Sequence, residues 1–125
     1  MIVKTDTKEK FHVITIQGPS LSASMTDDLT GCLLPFLQNP VKNLILRMDE
    51  LDTVEREAAE TLVKIQQQFY ENNASFVICG MQKQVETFLD ENELLELMNV
   101  TPTESEAWDI VQMEEIEREF LDEEQ

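Results

Sequence analysis

The sequence predicts an α/β fold: a mixed, mostly parallel central sheet with an N-terminal hairpin and about four helices packed against it. Two short, continuous apolar runs, Leu44-Ile-Leu46 and Ser75-Phe-Val-Ile-Cys79, suit strands buried on both faces of a sheet. Between and after them, apolar residues recur at three- and four-residue spacing, the period of helices that bury one face. The resulting order is β-β-α-β-α-β-α-β-α, which demands a partly parallel sheet. No linker, repeat or low-complexity tract interrupts it. The 125 residues therefore form one expected domain, 1–125, large enough to bury roughly two thirds of its unfolded surface.

Ile2 to Thr7 alternates weakly, Lys8-Glu-Lys10 is a polar turn, and Phe11 to Gln17 is a strand rich in branched residues, so the chain opens on a hairpin. Gly18-Pro19-Ser20 breaks that strand. Ser22 or Ser24 can cap the following helix, whose apolar residues are Met25, Leu29, Cys32, Leu33 and Phe36. Pro35 falls inside this pattern and removes one helical hydrogen bond, which predicts an irregular last turn. Asn39-Pro40 ends the element, and Leu44-Ile-Leu46, with Met48 beyond, belongs in the middle of the sheet.

The second helix is anchored by Ala58, Leu62, Ile65 and Phe69, with Ala59, Val63 and Tyr70 alongside, and closes at Asn72-Asn73. After the strand ending at Cys79 and Gly80, Val85, Phe88, Leu89, Leu94, Leu95 and Met98 form a helical stretch broken around Asp90 to Asn92. A short strand near Val100 completes the sheet. Thr103-Glu-Ser-Glu106 is a capping-box sequence, in which the Thr and Glu side chains satisfy free amides of a first helical turn. In the last helix Trp108, Val111, Met113, Ile116 and Phe120 are expected to face the core or cover its edge, with Leu121 to Gln125 frayed.

Charge narrows the function. The formal net charge of −17 disfavours phosphate backbones and anionic headgroups, so neither nucleic acid nor membrane is an expected partner. From Gln84 to Gln125 there are fifteen acids and one base, Arg118. This is a solvated face, a docking face for a basic partner, or a surface that holds divalent cations loosely. Asp90-Glu-Asn-Glu93 lacks the acid spacing and turn glycine of a calcium loop, and no cofactor or specific metal is expected. Cys32 and Cys79 each lie in an apolar run with no CxxC or Cys/His cluster, which reads as two buried thiols. With no leader and no apolar stretch of membrane-spanning length, the expected setting is the cytoplasm. Catalysis is not expected either. His12 is alone on a strand, and no Ser/His/Asp, Cys/His or glycine-rich phosphate loop is present.

The stretch Asn43 to Ile65, a buried strand, a short loop and an amphipathic helix, resembles the signature of the STAS domain family, the fold of bacterial anti-sigma factor antagonists. The opening hairpin, the Phe76-Val-Ile-Cys-Gly80 strand and the Thr-Pro-Thr-Glu-Ser-Glu-Ala107 helix start extend the resemblance over nearly the whole chain. Family members normally read about Asp-Ser-Ser-Gly at the junction, and a partner kinase phosphorylates the second serine. The matching residues here are Glu55, Arg56, Glu57 and Ala58, so Glu57 stands at the phosphoacceptor-equivalent position. Arg47 and Glu60 also depart from the pattern, standing where the family usually has an acid and often a glycine.

The resemblance implies a regulatory protein-interaction domain whose partner is an anti-sigma factor or serine kinase with a basic surface. A non-switching scaffold or adaptor subunit of a signalling or transporter assembly is the alternative. Candidate partner-binding residues are Asp52, Thr53, Glu55, Arg56, Glu57, Ala58 and Thr61, with Ser20 and Ser22 from the preceding loop. Glu57 offers one charge and two acceptor oxygens against the roughly −1.5 to −2 charge and three oxygens of phosphoserine, so any mimicry is partial. Acids in a helix's first turn are also favoured by its dipole, by about 0.3–1 kcal/mol, which accounts for Glu55 and Glu57 without a switch. Thr53 can cap the helix, and Thr53 and Thr61 are the remaining hydroxyls near the junction.

Overall fold

The computed structural model describes residues 1–123. Strands β1 (Val3–Thr7), β2 (His12–Ile16), β4 (Leu44–Arg47), β6 (Phe76–Cys79) and β7 (Val100–Thr101) form a five-stranded sheet in the order β1-β2-β4-β6-β7. β1 pairs antiparallel with β2, and every other neighbour is parallel. β4 is central, as its uninterrupted apolar run requires. Helices α1 (Thr26–Leu33), α2 (Arg56–Glu71) and α3 (Lys83–Glu91) fill the connections, and α4 (Glu104–Glu123) follows the last strand.

Register decides which side of each strand meets which helices. Ile14, Leu46 and Ile78 lie side by side and face α1, α2 and α3, joining Leu29, Leu62, Phe69 and Leu89 in the larger core. The alternate residues Val13, Ile45 and Val77 face α4 and pack with Phe11, Cys79, Ala107 and Val111. Trp108 stacks on Phe11 with ring centroids 4.5 Å apart. Pro35 lies in a 3-10 turn (Leu34–Gln38) that ends the first helical segment, the expected irregularity. Asn73 and Glu93 adopt positive φ after α2 and α3, and the second ends the helix at the anticipated break.

Three expectations need correction. Met113, Ile116 and Phe120 neither enter the core nor cover its edge; they are 60%, 59% and 64% exposed. Spacing alone could not tell which stripe of α4 faces inward, and Ala107, Val111 and Arg118 take that side. Cys79 is buried, but Cys32 is only half-buried. Ser20–Leu21 (β3) and Thr53–Val54 (β5), expected as loop, pair parallel in a separate two-stranded ribbon. Of the frayed end expected from Leu121, Leu121 itself is helical and residues 124–125 lie outside the described residues.

At the amino ends of the parallel strands Asn43 joins four partners. Its Nδ2 donates to Lys10 O (3.1 Å) and Glu115 Oε1 (2.6 Å), while its Oδ1 accepts from Ser75 N (2.9 Å) and Arg118 Nη2 (3.3 Å). His12 is buried and satisfied: its Nε2 donates to Val41 O (2.8 Å), and its Nδ1 pairs with the Thr7 hydroxyl (3.0 Å).

Candidate functional site

The carboxyl ends of β2, β4 and β6 lie together, so the loops that follow them converge at one end of the sheet, the usual place for sites in parallel α/β folds. Gly18 is pressed against the Glu50 carbonyl, where a β-carbon would collide with backbone. Gly80, at φ 75°, packs against Asp49, and Gln82 Nε2 donates to Asp49 O (3.0 Å). Asp52 N and Thr53 N both donate to Pro19 O (2.7 and 3.3 Å), and Glu55 N donates to Leu21 O (2.9 Å). Backbone bonds thus join the Gly18 to Ser24 loop to the junction.

The candidate residues divide by what they touch. Thr53 does not cap α2, because it lies in β5; its hydroxyl donates instead to Ser20 Oγ (2.9 Å). Ser22 stands at the cap position of a short 3-10 turn (Ala23–Met25), but its hydroxyl pairs with Ser24 Oγ (2.9 Å) rather than a free amide. That amide is satisfied from across the site: Ala23 N donates to Glu55 Oε1 (2.8 Å). Glu55 is also the N-cap residue of α2, so one carboxylate at the start of one helix closes the start of another. Sequence periodicity could not reveal this, since the two positions are 32 residues apart.

Arg56 bridges outward from the same turn. Its Nε donates to Glu60 Oε1 (2.9 Å) and its Nη1 to Asn92 Oδ1 (3.0 Å) at the end of α3. Thr61 Oγ1 donates back to Glu57 O (3.0 Å) and is half-buried. Ala58 is fully buried and belongs to the frame, not the surface. Glu57 is exposed in the first turn, where the helix dipole favours a carboxylate. Asp52, Thr53, Glu55 and Arg56, with Val54, Val85 and Phe88, line a groove of about 420 Å³ between the junction and α3. The three apolar members are not recognisable as groove residues from the sequence. Their spacing marked Val85 and Phe88 as core residues, and a residue at the rim of a core carries the same signal as one inside it.

Among the described residues no group of three or more His, Cys, Asp and Glu side chains is arranged to hold a metal, and no helix is long and apolar enough to cross a membrane.

No match is found among curated proteins. Solved structures share the fold. An anti-sigma factor antagonist from Mycobacterium paratuberculosis aligns with a TM-score of 0.75 at 10% identity over 89% of this chain and 93% of its own. RsbS from Moorella thermoacetica, in a form carrying a serine-to-glutamate substitution, gives 0.71 at 18% identity over 88% and 94%. Murine Slc26a9, an anion transporter, gives 0.63 at 14% identity over 83% of this chain, which spans 18% of the transporter's length. At such identities the likeness is one of fold. The profile of the STAS domain matches residues 3–107, and with that span of sequence behind it the chain belongs to the STAS domain family.

Proposed function

We propose that this STAS domain is a non-catalytic regulatory module that binds another protein through the Asp52 to Leu62 junction and the Gly18 to Ser24 loop, in the manner of an anti-sigma factor antagonist without its phosphorylatable serine. The observation that carries this reading is the joining of the two loops. Three backbone bonds and the Glu55 to Ala23 contact hold Ser20, Thr53, Glu55, Arg56 and Glu57 as one exposed polar surface beside an apolar groove. Such a surface suits a preorganised interface, since little ordering remains to be done on binding.

Glu57 takes the phosphoacceptor-equivalent position, and its carboxylate gives the surface a fixed negative charge in place of a switchable one. The likeness to an RsbS bearing glutamate in place of a serine is consistent with a stable fold of this kind. The partner in this reading is an anti-sigma factor or serine kinase presenting a basic surface, met in a reducing cytoplasm where Cys32 and Cys79 stay thiols.

The test is binding to the protein that co-purifies from the native host. Glu57→Lys is expected to weaken the complex at least about tenfold, as reversal of a charge at an interface does, and Glu57→Ser less. Unchanged affinity in both variants removes the junction from the interface. A scaffold or adaptor role is the second reading, favoured by the fold shared with a segment of a large transporter. Phosphate on Thr53, Thr61, Ser20 or Ser22 of the native protein supports a displaced switch, whereas its absence supports the scaffold.

A further inference from the structure

The outer side of α4 carries a feature unrelated to the junction, on the other face of the sheet. Ala107, Val111 and Arg118 face inward: the first two are fully buried, and Arg118 Nη2 donates to Asn43 Oδ1 and to Ser75 Oγ (3.3 and 3.1 Å). Asp109, Met113, Ile116 and Phe120 follow at spacings of four, three and four, which at 3.6 residues per turn places them on the opposite side. All four are exposed, and the three apolar ones span about 10 Å of helix at 1.5 Å per residue. The exposed charges of α4 itself are all negative, while Lys8 and Lys10 of the hairpin turn border Ile116 along one edge. Glu106, Asp109, Glu117 and Glu119 are exposed, and the one base of α4 is turned under the helix. An apolar spine between carboxylates is thus left open on a chain of net charge −17.

We propose that this face of α4 is a docking surface for a basic amphipathic helix of another protein. An apolar stripe at helical spacing fits the matching stripe of a second helix, ridge into groove. Charge selects the occupant. A second copy in isologous contact would set carboxylates against carboxylates, and an anionic lipid surface would be repelled by them. Lysines or arginines flanking the stripe of an incoming helix would instead meet Glu106, Glu117 and Glu119 across the rim, speeding encounter and setting orientation.

The probe is a fluorescent helical peptide of leucine and lysine, its leucines spaced i, i+3, i+4 and i+7, titrated against the full chain by anisotropy. A peptide of the same composition in alternating order and one with glutamate for lysine serve as controls. The patterned basic peptide is expected to bind at least about tenfold more tightly than either control, and Met113→Gln, Ile116→Gln and Phe120→Gln together are expected to abolish its preference over the alternating peptide. These exposed changes keep the charge and use a good helix former, and circular dichroism checks that the fold is intact. Glu117→Gln with Glu119→Gln is expected to weaken binding and flatten its salt dependence. The proposal is overturned if the triple variant binds as the parent does, since charge alone then attracts the peptide. Equal affinity for the alternating peptide overturns it too. So does sedimentation of the parent as a dimer that the triple variant disperses, which assigns the face to a second copy, or flotation with anionic vesicles, which assigns it to lipid.

Discussion

Among the described residues, one face of the sheet lies under α1, α2 and α3 and joins twenty-two buried residues into a single cluster. The other lies under α4 alone and buries seven, from Phe11 to Val111. The first buries Met48, Leu51, Val54, Ala58 and Leu62 beneath the strand-loop-helix junction, so Glu55 and Arg56 are exposed on a packed base. The second covers one stripe of a twenty-residue helix and leaves its far side bare. The many-helix face holds the fold, and the one-helix face divides its residues between holding and display.

The largest test of that contrast is a pair of truncations. Phe69→Ala empties a fully buried site that packs against Phe76 at 5.1 Å between centroids, and is expected to lower stability by about 3–5 kcal/mol in urea unfolding. Val111→Ala removes two buried carbons from the smaller cluster and should lower it by about 1–3 kcal/mol. Equal losses would mean that α4 is as decisive for folding as α2.

Asn43 joins the faces at the far end from the candidate site. Asn43→Ala takes the acceptor from the buried Ser75 amide and a partner from Arg118, which should cost about 1–3 kcal/mol by the usual penalty for an orphaned buried donor. An unchanged midpoint would show that water replaces the side chain and that α4 is held by apolar contact alone.

Alkali separates the faces differently. Burial pushes the Cys79 thiol up from about 9 to about 11, against the opposing pull of Arg47. Burial and the hydrogen bond to Glu114 likewise hold the Tyr70 phenol above its usual 10. In the unfolded chain both groups ionise at their ordinary values while the folded chain keeps the protons, so the unfolded state binds fewer protons at high pH. Stability is therefore expected to be level up to about pH 9 and to fall above it. Cys79→Ala should lessen the fall from about pH 9 upward, where the half-buried Cys32 thiol, also raised by burial, contributes the same sign, and Tyr70→Phe should lessen the part above about 10, read from urea midpoints across that range. A midpoint that rises with pH would reverse the assignment.

The fold was legible where burial and period agree. Leu44-Ile-Leu46 and Phe76 to Cys79 have no polar residue to place outward, so only a central strand suits them. The α2 stripe of Ala58, Leu62, Ile65 and Phe69 likewise admits one face. The Thr103 cap was also legible, since its partner lies three residues on: Glu106 N donates to Thr103 Oγ1 at 3.2 Å. The site was less so, because its organising contacts are long-range. Thr53 and Ser22 look like caps by local rules, yet β3 pairs with β5 and Glu55 takes the capping role. Nothing near Thr53 in the sequence announces a partner 33 positions away, and nothing near Ser22 shows that the Ala23 amide is met by Glu55. α4 failed for another reason: with apolar residues on two stripes, its period fits either side inward, and the choice rests on the polar contacts of Glu115 and Arg118 beneath it.

The smallest expected effect sharpens the contrast most. Met113→Ser with Phe120→Ser changes two side chains that are more than half exposed, so little surface returns to water on unfolding, and stability should move by no more than about 0.5 kcal/mol. A neutral result, set beside the loss at Val111 two and nine positions away on the same helix, would show that α4 keeps separate stripes for packing and for association. A loss of more than about 1 kcal/mol would instead mean that the outer stripe is covered in solution, because exposed apolar side chains stabilise a fold only when something removes them from water.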